Sequence, residues 1–123
     1  MNTTEVAQKV VELTRRQAWH EAVDTLHAKD IVSVEARASE DAPAEKRGIE
    51  AVRGKADWWV AAMEVHSFKV SDPFVAHDRF VVQYDVDVTE KESQKRFQMS
   101  EVGVYAVKNG KIVREEFLPQ VAG

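Results

Sequence analysis

Apolar residues occupy every second position over residues 80–88, and this alternation limits the folds open to the chain more than any other feature. Successive side chains of a β-strand point to opposite faces of a sheet, so a period of two predicts a strand with one apolar and one largely polar face. Further strands are predicted over 65–71, 95–107 and 111–118, and Asn109-Gly110 is typical of a tight antiparallel turn. An apolar sheet face needs a second layer to cover it.

Helical periodicity in the first half of the chain supplies that layer. One set of apolar residues with helical spacing begins at Val6 and a second begins at Trp19, which predicts two helices, or one helix broken near Gln17. A third set runs from Ile49 to Met63 and predicts another helix. These amphipathic segments are the predicted cover of the sheet.

The stretch between the second and third helices is predicted to hold a strand and a loop. Residues 31–35 have the β-branched content of a short strand. Residues 37–48 carry charge, Pro and Gly without a period, which predicts a loop that acts as a rim or lid. Together these segments predict one α+β domain over residues 1–123, with an antiparallel sheet wrapped around helices.

Composition and charge exclude several classes of function. Lys and Arg number 17 against 21 Asp and Glu, and no basic stripe offsets the net charge of −4, so we expect no nucleic-acid partner. The absence of cysteine excludes disulfides, thiolate nucleophiles and cysteine-based zinc sites. No apolar run is long enough for a signal-peptide core or a membrane span, so we expect a cytoplasmic protein without a membrane partner. No ligand spacing or glycine-rich loop suggests a metal or another cofactor.

Three ionisable residues are predicted to face the interior of the sheet. Glu101 lies on the strand face with the larger side chains, where a carboxylate needs a partner, a proton or a ligand; a purely structural ion pair is the alternative. His66 shares a face with Phe68 and is a candidate acid or base, although a histidine there also fits an ordinary core position. Glu115 is predicted to point inward and Glu116 outward, and a one-residue change of register would exchange them.

Three segments resemble the SnoaL-like branch of the nuclear-transport-factor-2-like superfamily, which includes ketosteroid isomerases and polyketide cyclases. They are residues 20–35, 47–59 and 101–113, and they keep the order of the family. The resemblance implies a strongly curved sheet closed by helices into a cone, the cystatin-like roll, with an open-ended pocket. It also implies a homodimer formed through the sheet. It assigns no reaction, because a shared fold does not transfer function.

In an alignment with the isomerases, Glu35 takes the position of their general base. The alternative to a catalytic role is that Glu35 is a solvated glutamate at the end of a strand. Val11 and Gly103 stand where the isomerases have their two oxyanion-binding donors, so the resemblance argues against steroid isomerase activity. Glu101 lies two residues from Gly103 on the same strand face.

These observations lead to one functional hypothesis and one alternative. We predict a pocket for a small, mostly apolar organic molecule, with proton transfer next to a carbonyl, as in isomerisation, aldol-type cyclisation or dehydration. Glu35, His66 and Glu101 are the predicted catalytic residues and are expected to converge on one cavity. The predicted substrate-binding residues are Trp19, Trp59, Tyr84, Met99, Glu115 and Phe117. The alternative is a non-catalytic protein: a ligand-binding or accessory dimer, or a structural dimer with a vestigial pocket.

Overall fold

The computed structural model describes residues 1–35 and 44–120, which form three helices and one curved, unclosed mixed sheet. The helices are α1 (Thr3–Arg15), α2 (Trp19–Leu26) and α3 (Ile49–Ala62). The strands are β1 (His27–Glu35), β2 (Glu45–Arg47), β3 (Met63–Val70), β4 (Phe74–Val75), β5 (Arg79–Glu90), β6 (Lys95–Lys108) and β7 (Lys111–Pro119). Their order in the sheet is β2-β1-β7-β6-β5-β3, with β4 paired to β5. The predicted α+β class is confirmed.

Local sequence explains where the first helices begin and end. The side chain of Asn2 accepts a hydrogen bond from the backbone N–H of Glu5, and the Glu5 carboxylate accepts one from the backbone N–H of Asn2. This reciprocal cap satisfies two free donors at the start of α1. Gln17 has a φ of 56°, a left-handed conformation that separates α1 from α2, so the prediction of two helices is confirmed. In the described part of the chain, no helix has the length and apolar character needed to cross a membrane.

The core forms where α1 and α2 pack on the concave face of the sheet. The residues of β5 that alternate from Phe80 to Val88 are buried, as the period of two predicted. Asn109 and Gly110 both have positive φ, 53° and 74°, which is the conformation that a two-residue hairpin between twisted strands requires. The hairpin between β6 and β7 therefore lies where the sequence predicted it.

The sheet differs from the predicted antiparallel one in two places. Strand β1 pairs with β7 in parallel, a direction that the alternation within a single strand does not encode. Residues 45–47, predicted as loop, form the edge strand β2 against β1, and the backbone N–H of Glu35 donates to Ala44 O at 2.9 Å. The charged side chains of β2 suit an exposed sheet edge, since charge discourages pairing with another chain. The rest of the predicted rim or lid, residues 37–43, lies outside the described residues.

Candidate functional site

A cavity of about 430 Å³ lies between the three helices and the concave face of the sheet. Its volume is in the lower part of the range of small-molecule pockets, which is roughly 300–1,000 Å³. The six residues predicted to bind substrate all line it: Trp19, Trp59, Tyr84, Met99, Glu115 and Phe117. Glu35 and Glu101 line it as well, so two of the three predicted catalytic residues share one cavity.

Aromatic rings form one wall of the cavity. Phe68 packs edge-to-face against Trp19, with ring centroids 4.8 Å apart, and against Trp59 at 6.5 Å. Tyr84 joins this cluster, its centroid 5.7 Å from that of Phe68. Offset and edge-to-face contacts of this kind stabilise a fixed arrangement of rings. The wall suits an apolar or aromatic ligand.

Glu35 is bound to a lysine that the sequence did not single out. Lys55 Nζ lies 2.5 Å from Glu35 Oε1 and 2.9 Å from Ser33 Oγ, and its side chain is 22% exposed. The two side chains form a partly buried ion pair between α3 and β1. Helical spacing is the signal that could have identified Lys55: position 55 lies three residues after Val52 and four before Trp59, on the inner face of α3.

Glu101 has the opposite environment. Burial, and then the negative charge of Glu35, raise its pKa from 4.5 to about 7, although the charge of Lys55 acts in the other direction. Among the residues that the structure describes, its carboxyl group has no hydrogen-bond partner. Glu101 is therefore an acid–base group open to whatever occupies the cavity.

His66 does not reach the cavity, so the prediction that it joins the two glutamates is wrong. Strand β3 carries one residue more than β5 between Val65 and Ser67, which is a β-bulge. The bulge changes the alternation of side chains, so Phe68 faces the cavity while His66 is exposed on the outer face, with Nε2 2.7 Å from Thr89 Oγ1. A bulge of this kind cannot be recognised from the sequence of a short alternating segment.

Glu115 points inward, and its partner is His27. The Nε2 atom of His27 lies 2.6 Å from Glu115 Oε1, and the two side chains are 8% and 5% exposed. Burial acts to raise the pKa of Glu115, but the hydrogen bond with His27 and the charges of His27 and Lys55 outweigh it, and the pKa is lowered. The Nδ1 atom of His27 is 3.3 Å from Ala22 O, so an imidazolium satisfies both acceptors at once.

The hydroxyl groups of Tyr84 and Tyr105 are 2.6 Å apart in the buried part of the cavity. Tyr105 stacks on Phe80, with ring centroids 4.7 Å apart. Its ring also lies across Gly103, where an added Cβ would be 2.8 Å from Tyr105 Oη. The missing side chain at position 103 therefore makes room for a tyrosine hydroxyl.

Alanine at position 103 is expected to destabilise the protein by about 1–3 kcal/mol, because Tyr105 must move within a packed core. Gly54, exposed on α3, is the matched control, since an added Cβ there meets nothing within 4 Å. Gly54→Ala is expected to stabilise by about 0.5–1 kcal/mol through helix propensity. Urea unfolding of both variants gives the comparison, and a Gly103→Ala protein as stable as the native one would contradict the packing argument.

Comparison with known proteins identifies the fold and the family of the chain. The SnoaL-like domain family matches residues 1–118. A protein from Mesorhizobium loti described as a SnoaL-like polyketide cyclase is 39% identical; the match covers 95% of this chain and 98% of that one, with a TM-score of 0.87. No curated protein matches the sequence.

Two more distant structures share the fold. An NTF2-like protein from Burkholderia thailandensis is 19% identical over 98% of this chain and 92% of that one, with a TM-score of 0.81. A protein with a cystatin-like fold from Xanthomonas campestris is 13% identical, again over 98% and 92% of the two chains, with a TM-score of 0.79. The family match spans nearly the whole chain and agrees with the curved sheet and the cavity described above. The chain therefore belongs to the SnoaL-like domain family.

Proposed function

We propose that the protein binds a small, mostly apolar carbonyl compound and transfers a proton at the carbon next to the carbonyl. The observation that carries this proposal is the contrast between two carboxyl groups in one cavity. Glu35 forms an ion pair with Lys55, whereas Glu101 has no partner among the described residues and its pKa is raised to about 7. Two carboxyl groups of one cavity in such different environments are typical of acid–base sites.

Glu101 is the proposed proton-transfer residue. A group whose pKa lies near the working pH is present in both protonation states, which is the best condition for taking a proton in one step and returning it in the next. Glu35 tunes Glu101, because its negative charge favours the protonated form of its neighbour. His66 takes no part, since it lies on the outer face of the sheet.

The substrate class follows from the wall of the cavity and from one relative. Aromatic side chains cover much of the surface that a ligand would contact, so a ring system or an extended conjugated chain fits better than a sugar or a phosphate. The relative from Mesorhizobium loti carries two descriptions, SnoaL-like polyketide cyclase and carbohydrate phosphatase, and the aromatic lining of this cavity agrees with the first. Polyketide intermediates are apolar and have acidic C–H groups between carbonyls, which agrees with the proposal.

Exchange of carbon-bound hydrogen for deuterium tests the proposal directly. The native protein is incubated in D₂O with a panel of cyclic ketones and aromatic 1,3-diketones, and ¹H NMR follows loss of the signal next to the carbonyl. We expect exchange faster than in buffer for at least one class, with a rate that inflects near pH 7 as Glu101 titrates. Binding without exchange across the whole panel would count against catalysis.

A non-catalytic binding protein is the second candidate, and one contact favours it. The Nζ atom of Lys55 lies only 2.5 Å from Glu35 Oε1, so the carboxylate at the position of the isomerases' general base is already engaged in an ion pair. In this case Glu35 and Lys55 serve to fix α3 and to orient a ligand. Saturable binding of the ketones, with deuterium exchange no faster than in buffer, distinguishes this candidate from the enzyme.

We also propose a homodimer through the outer face of the sheet. Val81, Val102 and Val104 form an apolar patch there with Leu118, which is 44% exposed. Light scattering at micromolar concentration is expected to give the mass of two chains, and Leu118→Glu to give mostly monomer, because the charge is desolvated in the interface. Gln8→Glu, which adds the same charge on exposed α1, is the control. A native protein that is monomeric under these conditions contradicts the proposal.

A further inference from the structure

Two lysines line the cavity, Lys46 and Lys55, and Lys55 is the one that polar contacts fix in place while a hydrogen atom is left to donate. An ammonium group has three N–H donors. Glu35 and Ser33 accept two of them, at 2.5 and 2.9 Å. Glu115 Oε2, at 4.0 Å, is beyond hydrogen-bond distance, and no other described residue accepts the third. A ligand oxygen in the cavity is the acceptor that this geometry lacks.

The surroundings of Lys55 attract a positive charge. Two carboxylates, Glu35 and Glu115, lie within 4.0 Å of Nζ, and the ring centroid of Phe117 is 4.8 Å away. Each of these neighbours interacts favourably with a cation at this position. Lys55 is therefore suited to act as a fixed positive charge and unsuited to attack a carbonyl as an amine nucleophile, because nucleophilic attack needs the neutral amine.

Lys55 is also close enough to Glu101 for their charges to interact. The charge of Lys55 acts to lower the pKa of Glu101, against the effect of burial. Both side chains line the same cavity. A carbonyl oxygen and the neighbouring carbon of one ligand are thus within reach of a positive charge and of an acid–base group.

We propose that Lys55 is a catalytic residue that binds the carbonyl oxygen of the ligand and stabilises the negative charge that this oxygen gains as an enolate forms. The assignment rests on the proposed function, since it names the group that stabilises the negative charge left on the ligand oxygen when Glu101 removes the proton. It also defines the ligand class as molecules with an anionic or enolisable oxygen attached to an apolar skeleton. Charge stabilisation of this kind is commonly the largest single contribution to such a reaction.

Binding of a phenolate tests the contact without any need for catalysis. The probe is 2,4-dinitrophenolate at pH 6, where the phenol is ionised and Glu101 is mostly protonated, and 2,4-dinitroanisole is the uncharged analogue. Lys55→Gln is expected to weaken binding of the phenolate by about ten- to a hundredfold, the usual effect of losing a charged hydrogen bond, and to leave binding of the anisole unchanged. Arg53→Gln removes the same charge from α3 outside the cavity and is expected to change neither affinity.

Glu35→Gln separates a ligand-binding role from a structural one. If Lys55 binds the anion, removing its competing carboxylate tightens phenolate binding, so the two variants act in opposite directions. If Lys55 only fastens α3 to β1, both variants break the same ion pair, and both weaken binding of the phenolate and the anisole. That result would overturn the proposal, as would a native protein that binds the anisole but not the phenolate.

The chemistry of the amine gives an independent test. Treatment with a ketone and sodium borohydride, followed by peptide mass mapping, is expected to leave Lys55 unmodified while exposed lysines such as Lys91 and Lys95 are alkylated, since an ammonium forms no imine that can be reduced. A covalent adduct on Lys55 would overturn the fixed-charge role. Failure of the deuterium exchange alone refutes the proposed enzymatic function and leaves a Lys55-dependent anion site, whereas exchange that is unaffected by Lys55→Gln refutes the role of Lys55 alone.

Discussion

Glu101→Gln is expected to lower the rate of carbon-bound hydrogen exchange by about 10²–10⁴-fold, the usual contribution of a positioned acid–base group. Glutamine keeps the shape of the side chain but neither takes nor gives a proton at neutral pH. Glu92, exposed in the turn between β5 and β6, is the matched control, and Glu92→Gln should exchange the substrate at the native rate. Native exchange rates in the Glu101→Gln protein would rule out Glu101 as the proton-transfer residue.

The same variant is expected to be more stable than the native protein above pH 7. Burial and the charge of Glu35 raise the pKa of Glu101 from 4.5 to about 7, so the folded state binds this proton more tightly than the unfolded state does. The resulting stabilisation is complete below pH 4.5 and is lost as the pH rises through 7. Glutamine avoids that loss, which is on the order of 3 kcal/mol at pH 8.5.

Urea unfolding between pH 4 and 9 measures this difference. The difference in the free energy of unfolding between the two proteins should grow in favour of Glu101→Gln from pH 4 upward and level off above pH 7. Glu92→Gln should follow the native curve throughout. If the free energies of unfolding of Glu101→Gln and the native protein differ by the same amount at every pH, Glu101 is an ordinary packed side chain whose proton affinity is unchanged on folding.

The side-chain pattern predicted the sheet well wherever a strand is regular. The apolar face of β5 and the turn at Asn109-Gly110 depend only on neighbouring residues, so the sequence alone was enough to place them. The inward direction of Glu101 came from the same alternation. Each of these predictions depends on local backbone geometry, either the alternation of side chains along a strand or the φ values of a two-residue turn.

The predictions failed or were incomplete where pairing between distant segments decides the geometry. His66 was misplaced because the bulge in β3 exists only relative to β5. A second irregularity, in β7, makes Ile112 rather than Val113 the buried residue before Glu115. The sequence pattern did not single out His27, which begins β1 and reaches Glu115 on a strand that lies far away in sequence. The ligand-facing polar groups are therefore the least predictable part of this fold.

His27→Leu is expected to be the most destabilising single substitution in the cavity, at about 3–5 kcal/mol. It leaves the buried carboxylate of Glu115 without the partner that lies 2.6 Å away in the native protein. Lys55, at 4.0 Å, is too far away to replace that hydrogen bond. An uncompensated buried charge costs far more than the loss of a neutral contact.

The double variant His27→Leu/Glu115→Leu is expected to recover most of that loss. It replaces a buried ion pair by apolar side chains, an exchange that is often neutral or stabilising. Unfolding free energies of the native protein, both single variants and the double variant form a cycle that isolates the energy of the pair. A double variant that is as unstable as His27→Leu alone would show that packing, and not the unpaired charge, explains the effect.

The pH dependence of the single variant should run opposite to that of the native pair. In the native protein the pKa of Glu115 is lowered, so its contribution is complete above pH 4.5 and is lost as the pH falls through the lowered value. Without His27, the two largest influences that lower the pKa of Glu115 are gone; burial still acts to raise it, against the charge of Lys55 and the hydrogen bond with Ser33. We therefore expect Glu115 of the variant to oppose folding as the pH rises. The cost of His27→Leu should therefore be smaller at pH 5 than at pH 8 in urea unfolding. An equal cost at both pH values would mean that Glu115 does not carry a buried charge.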